Sequence, residues 1–158
     1  TWSANATISK NRIKDFVETV YEDEWTNPVE INHGDTHIAF SPSFIFNNSF
    51  NFNYNNFDLL LSTQYVSKQY MTNAEYEDQV LDAYCVSNLH LGYNFKLPHT
   101  KSVRIGFSIY NLFDEEYENN GYAGGGYYVD GGEKVFYRYS GYAAQAGTNF
   151  MGSVSFKF

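Results

Sequence analysis

The histidines and the one cysteine are the side chains with the widest chemical range in this sequence of 158 residues. His33 and His37 stand four residues apart, a spacing that on a helix would place two metal ligands on one face. They lie instead in a stretch with Gly34 that is predicted to be a loop entering a strand, with no Glu or third ligand in register, so both are interpreted as surface residues. Cys85 is interpreted as a small packed residue with nothing to activate its thiol.

No Ser–His–Asp set, nucleotide-binding loop or pair of catalytic carboxylates stands out along the chain. The sequence therefore predicts no enzyme, no metal site and no cofactor. The net charge of −8 argues against a nucleic-acid partner, which would require a basic surface.

Tyrosines interleaved with glycines are the strongest candidate for a binding surface. Aromatic rings beside flexible glycines suit the stacking of flat or sugar-like ligands. An aromatic belt at a membrane boundary with a self-packed loop explains the same composition, and both readings stay open. The candidate ligand-binding residues are Tyr117, Tyr122, Tyr127, Tyr128, Tyr137, Tyr139 and Tyr142.

The elements that must position these residues have a period of two. Apolar and polar residues alternate over residues 40–54, 89–97, 103–110 and 150–158, and less cleanly over 2–21 and 57–71. This alternation is typical of strands with one apolar and one polar face, and it predicts six long strands. His90 falls on the polar parity and is interpreted as facing a wet interior.

Short and long connections alternate between the predicted strands. Turns are predicted about residues 54–57 and 98–101, and long loops over 22–36, 73–82 and 114–147. The long loops hold 15 of the 18 acidic residues. Antiparallel pairing would place all long loops at one end, as in outer-membrane barrels with short periplasmic turns and long extracellular loops. Within the last loop, residues 127–139 are predicted to form a hairpin about Gly131-Gly132, lying beyond the membrane.

The composition favours a membrane boundary over an ordinary soluble core. Aromatic residues make up 20% of the chain although the mean hydropathy is −0.46, and rings with a polar edge suit a wet–dry interface. Six strands are too few to close a transmembrane barrel, where strand counts start at about eight. Partner strands are therefore expected, because an open sheet edge in lipid leaves backbone groups without hydrogen bonds.

Two segments resemble a known family. Asn111-Leu112-Phe113-Asp114-Glu115-Glu116-Tyr117 is similar to the Asn-Leu-Phe-Asp-x-x-Tyr signature near the end of TonB-dependent receptors, and residues 147–158 resemble their final strand. A looser likeness over Asn119-Asn120-Gly121-Tyr122 and 145–150 is to receptors of the Bacteroidetes type. The resemblance implies that residues 1–158 are the C-terminal part of an antiparallel transmembrane β-barrel of 22 strands, contributing about six strands and three long extracellular loops.

The resemblance also implies a function and partners. The function would be uptake of a nutrient such as an iron chelate, haem, cobalamin or glycan across the bacterial outer membrane. The partners would be the lipid bilayer, the remaining strands and plug of the same receptor, TonB through that plug, the barrel-assembly machinery and a surface lipoprotein. The assembly signal would be carried by Phe150, Val154, Phe156 and Phe158.

Two other function classes remain open from the residues alone. One is a small passive pore or structural barrel of the outer membrane. The other is a soluble β-domain that binds an apolar ligand.

Overall fold

The structure is a computed structural model that describes residues 1–22 and 26–158. The predicted all-β class is confirmed, because all the regular elements in this part of the chain are strands. They are β1 (Trp2–Ile8), β2 (Arg12–Glu22), β3 (Thr26–His37), β4 (Phe44–Tyr54), β5 (Phe57–Val66), β6 (Gln69–Tyr70), β7 (Val80–Leu81), β8 (Tyr84–Phe95), β9 (Ser102–Tyr110), β10 (Glu118–Asp130), β11 (Glu133–Ala144) and β12 (Asn149–Lys157). Across residues 1–22 and 26–158 there is no helix long and apolar enough to cross a membrane.

The strands form three sheets. The largest has six strands in the order β1-β4-β5-β8-β9-β12, with antiparallel pairing throughout, as predicted. This sheet is open, with β1 and β12 at its edges. A second sheet has the order β11-β10-β2-β3, and β6 and β7 form a small third one. Pairing in the second sheet is antiparallel except where β10 meets β2, which are joined within the described residues by one parallel pair, Tyr127 and Glu22.

Short and long connections lie at opposite ends of the six-stranded sheet, as predicted. The turn at Asn55-Asn56 and the turn about His99 are at the end where Trp2 and Lys157 also lie, because Trp2 pairs with Phe50 and Lys157 with Ser102. Asn55 and His99 both have positive φ, which Asn and His tolerate better than most residues. The second and third sheets extend from the other end.

The two faces of the six-stranded sheet differ in chemistry because side chains alternate along each strand. The register brings apolar residues into one row across all six strands, which runs Trp2, Phe50, Leu61, Leu89, Ile109 and Phe150. The opposite face carries hydrogen-bonded polar pairs such as Ser3 with Ser49 and His90 with Ser108. His90 thus lies on the polar face, as predicted. We call the first the apolar face and the second the polar face of the sheet.

The apolar face has no covering layer among the described residues. Trp2 is 69% exposed and Phe150 64% exposed, and central residues such as Phe50 are also exposed. Leu61, Leu89 and Ile109 of the same row are half-buried. A row of exposed and half-buried apolar side chains across six strands far exceeds the scattered apolar residues of an ordinary protein surface.

The first predicted strand, over residues 2–21, was wrong because it joined two strands of different sheets. β1 ends at Ile8 opposite Phe44, and Ser9 continues with bonds to Ser43 and Pro42. Pro42 has no N–H to extend the ladder, and Phe40 has a positive φ of 53°. For the same reason the predicted strand over 40–54 begins only at Phe44. The chain then turns away and forms β2 against β3.

The predicted loop over residues 22–36 was also wrong, because most of it is β3, although residues 23–25 lie outside the described residues. Its polar sequence hides the strand, which is held by antiparallel pairing with β2. The predicted strand over 57–71 ends at Val66, and the strand over 89–97 is β8, which begins earlier, at Tyr84. In the predicted loop over 114–147, the hairpin is confirmed as β10 and β11. The predicted loop over 73–82 contains β7.

A group of buried apolar residues lies between the second sheet and the segment that joins β5 to β8. Met71, Ala74 and Leu81 of this segment are buried, as is Val20 of β2. The second sheet is therefore backed by a small core, while the six-stranded sheet is a single layer.

Candidate functional site

Glycines of β10 and tyrosines of β11 form the centre of the candidate site. Gly124 lies opposite Tyr139 and Gly126 opposite Tyr137. A Cβ on either glycine would contact the opposing ring, so each ring lies over the glycine of its cross-strand partner. Tyr137 also stacks on Tyr139, with ring centroids 6.3 Å apart. The hairpin thus presents a patch of rings held by backbone register rather than by a deep core.

A cleft opens beside this patch where β2 and β10 separate. The two strands meet only at Glu22 and Tyr127 within the described residues, and their divergence leaves a hollow of about 540 Å³. This volume is within the range of about 300–1,000 Å³ that is usual for small-molecule sites. The residues lining it are Glu18, Thr19, Val20, Tyr21, Thr72, Ala123, Gly124, Gly125, Gly126, Tyr127, Tyr137 and Tyr139.

Glu18 is the carboxylate of the cleft, and two neighbours hold it in place. Its Oε2 is 2.9 Å from His33 Nε2 and accepts a hydrogen bond of 2.8 Å from the Tyr76 hydroxyl. The rings of His33 and Tyr76 meet edge to face at 5.5 Å. Burial and the bond to Glu18 raise the pKa of Tyr76 well above the usual value for a phenol, so Tyr76 remains a neutral donor.

The predicted loop at His33 and His37 was wrong, because both residues lie on β3. The side chain of His33 is 14% exposed and that of His37 is 39% exposed, and each contacts a carboxylate that is distant in sequence. His33 pairs with Glu18, and His37 pairs with Glu75 of the segment between β6 and β7. These contacts join β3 to β2 and to the segment between β6 and β7.

Gln79 is a residue of the site that sequence reasoning missed. Its side chain is almost wholly buried, and its Nε2 donates to the carbonyl oxygens of Gly124 and Tyr139 at 2.8 and 3.1 Å. Its Oε1 accepts a bond from Thr72. Gln79 thereby anchors the glycine–tyrosine pairs to the packed segment below them. A polar residue between Asp78 and Val80 carries no pattern that would have singled it out.

The seven predicted tyrosines divide into three groups. Tyr127, Tyr137 and Tyr139 line the cleft, and Tyr128 contacts Tyr137 edge to face at 5.9 Å. Tyr117 contacts Tyr84 with the two rings tilted by 31°, and it lines a separate hollow of about 320 Å³. The other two are exposed on the hairpin outside the cleft: Tyr122, whose ring covers Gly141, and Tyr142, which lies opposite Gly121.

The predicted signature segment forms a tight junction between β9 and β12. Asn111 is buried, and its Nδ2 donates to the carbonyl oxygens of Glu115 and Ala146. Its Oδ1 accepts from Glu115 N–H at 2.9 Å, and its carbonyl accepts from the Thr148 hydroxyl at 2.7 Å. Asp114 accepts from Thr148 N–H at 2.8 Å. Asn111 and Asp114 therefore hold the end of β9 beside the start of β12.

The predicted assembly residues lie on β12, an edge strand of the six-stranded sheet, or directly after it. Phe150, Val154 and Phe156 all lie on the apolar face of β12, with more than half of each side chain exposed. Phe158 follows the strand, and its carbonyl accepts a bond of 2.7 Å from Lys101 Nζ. Cys85 lies near the start of β8 and is exposed, so its interpretation as a packed residue was wrong.

Metal ligands do not cluster in the described part of the chain, where no group of three or more His, Cys, Asp or Glu side chains could hold an ion. The arrangement instead offers aromatic rings, backbone groups and one carboxylate held by two neighbours, which are groups suited to non-covalent contacts.

Comparison with known proteins adds nothing to this picture: no family model, no curated protein and no solved structure matches the chain.

Proposed function

We propose that this chain forms part of the wall of a TonB-dependent outer-membrane receptor that takes up a nutrient. In this proposal the apolar face of the six-stranded sheet meets lipid, and the polar face meets the interior of the receptor. β1 and β12 pair with further strands that close the barrel. The second sheet lies outside the membrane and contacts the incoming ligand.

The observation that carries the proposal is the apolar face without a covering layer among the described residues, which is continuous across all six strands. Five of these strands have 9–12 residues, close to the ~9–11 that a tilted strand needs to cross a bilayer. Such a face in water would be a strong liability for aggregation. In lipid it is the expected outer surface of a barrel with a polar interior.

Charge supports the same proposal. Within these six strands, all of them in the described part of the chain, Asp58 is the one acidic residue, and Arg104 neutralises it. The acidic residues of the second sheet and the loops lie at the end with long connections. A charge on a lipid-facing strand costs free energy, whereas a charge in an exposed loop does not. The distribution therefore fits a sheet that spans a membrane.

The first test is the location and state of the protein in the cell that makes it. Membranes are fractionated, and the protein is extracted in detergent and run on a gel with and without boiling. We expect outer-membrane location and a migration shift on boiling, as for a folded barrel. A protein recovered in the soluble fraction would reject the proposal in favour of a soluble β-domain.

A second measurement separates active uptake from a passive pore. The mass of the purified particle is measured in detergent, and the particle is then inserted into planar bilayers. Additional strands and a plug with little ion conductance are expected for a receptor that works with TonB. Steady conductance by a particle without a plug would favour the pore.

A further inference from the structure

The cleft between β2 and β10 combines aromatic walls with a single fixed carboxylate. Tyr127, Tyr137 and Tyr139 supply rings from the hairpin, and Tyr21 supplies another from β2. The ring faces carry partial negative charge and attract cations. The rings of Tyr137 and Tyr139 lie over the glycines opposite them, which fixes the position of each ring.

The charge of the cleft has one sign. Glu18 is in its lining, and no lysine or arginine is among the lining residues. The nearby basic side chains have acidic partners of their own: Lys134 binds Glu22 at 2.6 Å, and Arg138 binds Asp78 at 2.8 Å. The guanidinium of Arg138 also lies over the ring of Tyr76, 4.7 Å from its centroid. An anionic ligand would therefore meet repulsion from Glu18 and from the ring faces.

Of the two carboxylate oxygens of Glu18, one is hydrogen-bonded within the described residues and the other is not. His33 and Tyr76 both contact Oε2, and no described residue donates a hydrogen bond to Oε1. The side chain of Glu18 is only 17% exposed. A carboxylate in this position attracts a cation more strongly than one in open water, because the surroundings screen it less.

From these observations we infer that the cleft binds a small organic cation, with an ammonium group against Glu18 and the tyrosine rings and an apolar stem along Val20. This inference rests on the proposed function in one respect, since it names the ligand class for the part of the receptor outside the membrane. The binding itself is measured without transport.

The test uses the full chain, purified in detergent, and two probes of the same shape. Choline carries a quaternary ammonium group, and 3,3-dimethylbutan-1-ol is its uncharged isostere. Isothermal titration of the two probes is run in the same buffer. We expect saturable binding of choline that is at least about tenfold tighter than binding of the alcohol.

Variants assign the binding to the cleft. Glu18→Gln keeps an acceptor for His33 and Tyr76 but removes the charge, and it should weaken choline at least about tenfold while leaving the alcohol unchanged. Glu133→Gln removes the same charge from an exposed position at the turn of the hairpin, and should leave both affinities within about twofold. Tyr137→Leu keeps apolar volume but removes a ring, and it should weaken choline even if Glu18→Gln fails to fold.

Three results would overturn the inference: equal binding of the two probes, equal effects of Glu18→Gln and Glu133→Gln, or no saturable binding of choline by the folded chain. Saturable binding of glucose without choline binding would also overturn it and assign the cleft to a sugar. A protein that is located in the outer membrane but fails these titrations rejects only the inference. A protein outside that membrane that passes them rejects only the proposed function.

Discussion

Asp58 and Arg104 form a bidentate ion pair across a strand that lies between theirs. Arg104 Nη1 and Nη2 donate to the two carboxylate oxygens of Asp58 at 2.6 and 2.7 Å. Asp58 is on β5 and Arg104 on β9, and the pair passes over Gly92 of β8, which is in register with Asp58 and lies diagonally from Arg104. A Cβ at position 92 would overlap the guanidinium and the carboxylate. The glycine therefore makes the pair possible.

Gly92→Ala is expected to lower the free energy of unfolding by about 1 kcal/mol, because it displaces a bidentate but partly exposed ion pair. The same substitution in an Asp58→Asn, Arg104→Gln background should be neutral or slightly stabilising, since alanine restricts the unfolded chain more than glycine does. Urea unfolding of the detergent-purified chain measures both. Gly152→Ala is the control, because a Cβ there meets nothing within 4 Å. Equal costs in the two backgrounds would contradict the role assigned to Gly92.

Asn111→Ala is expected to destabilise the chain by about 2–4 kcal/mol. The substitution leaves the carbonyl of Ala146 and the N–H and carbonyl of Glu115 without their partner at a buried site. It also places alanine at a φ of 51° that asparagine tolerates.

Two further variants separate the effect of the lost hydrogen bonds from the effect of the backbone conformation. Asn111→Gly removes the same hydrogen bonds, but glycine adopts the positive φ without strain. It should therefore recover only the smaller part of the stability that Asn111→Ala loses. Phe113→Ala, at an exposed residue of the same segment, should stay within about 0.5 kcal/mol of the parent. Thermal unfolding followed by circular dichroism gives the three values. If Asn111→Ala cost no more than Phe113→Ala, the junction between β9 and β12 would not depend on this residue.

Tyr76→Phe is expected to change the pH dependence of stability. At neutral pH the variant should be less stable by about 1 kcal/mol, because it loses the hydrogen bond to Glu18. The pKa of Tyr76 is raised in the folded chain, whereas an unfolded tyrosine ionises near pH 10. Above about pH 10 the unfolded state therefore binds fewer protons at this residue than the folded state, and stability falls as pH rises.

Phenylalanine has no proton to lose, so the deficit of the variant should shrink between about pH 10 and 11.5. Urea midpoints of both proteins across this range test the sign. A phenolate titration gives an independent check, since Tyr76→Phe should lower the absorbance of the denatured protein by one tyrosine and leave that of the native protein near pH 11 unchanged. A native amplitude that also falls by one tyrosine would show that Tyr76 ionises normally.

The six-stranded sheet could be predicted from sequence because its signal is local. Rings and polar residues alternate along single strands, and turn residues such as Asn55-Asn56 mark where the chain reverses. β3 gave no such signal, since Asn32, His33 and Gly34 do not alternate with apolar residues, and its strand conformation depends on pairing with β2. The break between β1 and β2 was missed because it depends on Pro42, which is distant in sequence from both.

The candidate site was predictable only in its composition. The tyrosines and glycines of residues 117–142 stand out in the sequence, but which ring covers which glycine depends on a register that the sequence alone leaves undetermined. Glu18 and Gln79 reach the site through contacts between residues 45–60 positions apart. Contacts of this kind have no local pattern, so the cleft emerges only when β2, β10 and the segment between β5 and β8 meet.

Substitution of neighbouring residues on β4 tests which face of the six-stranded sheet meets lipid. Phe50 is in the apolar row, and Asn51 is the next residue on the polar face. On the proposed function, Phe50→Arg places a charge in the bilayer and should cost about 2–4 kcal/mol, while Asn51→Arg faces a wet interior and should cost less than about 1 kcal/mol. Folding into lipid vesicles at a series of urea concentrations measures both, with Phe113→Arg in an exposed loop as a common control. Because the two positions share strand, depth and introduced side chain, only the face differs between them. A larger loss for Asn51→Arg would reverse the orientation of the sheet, and equal small losses would mean that neither face meets lipid.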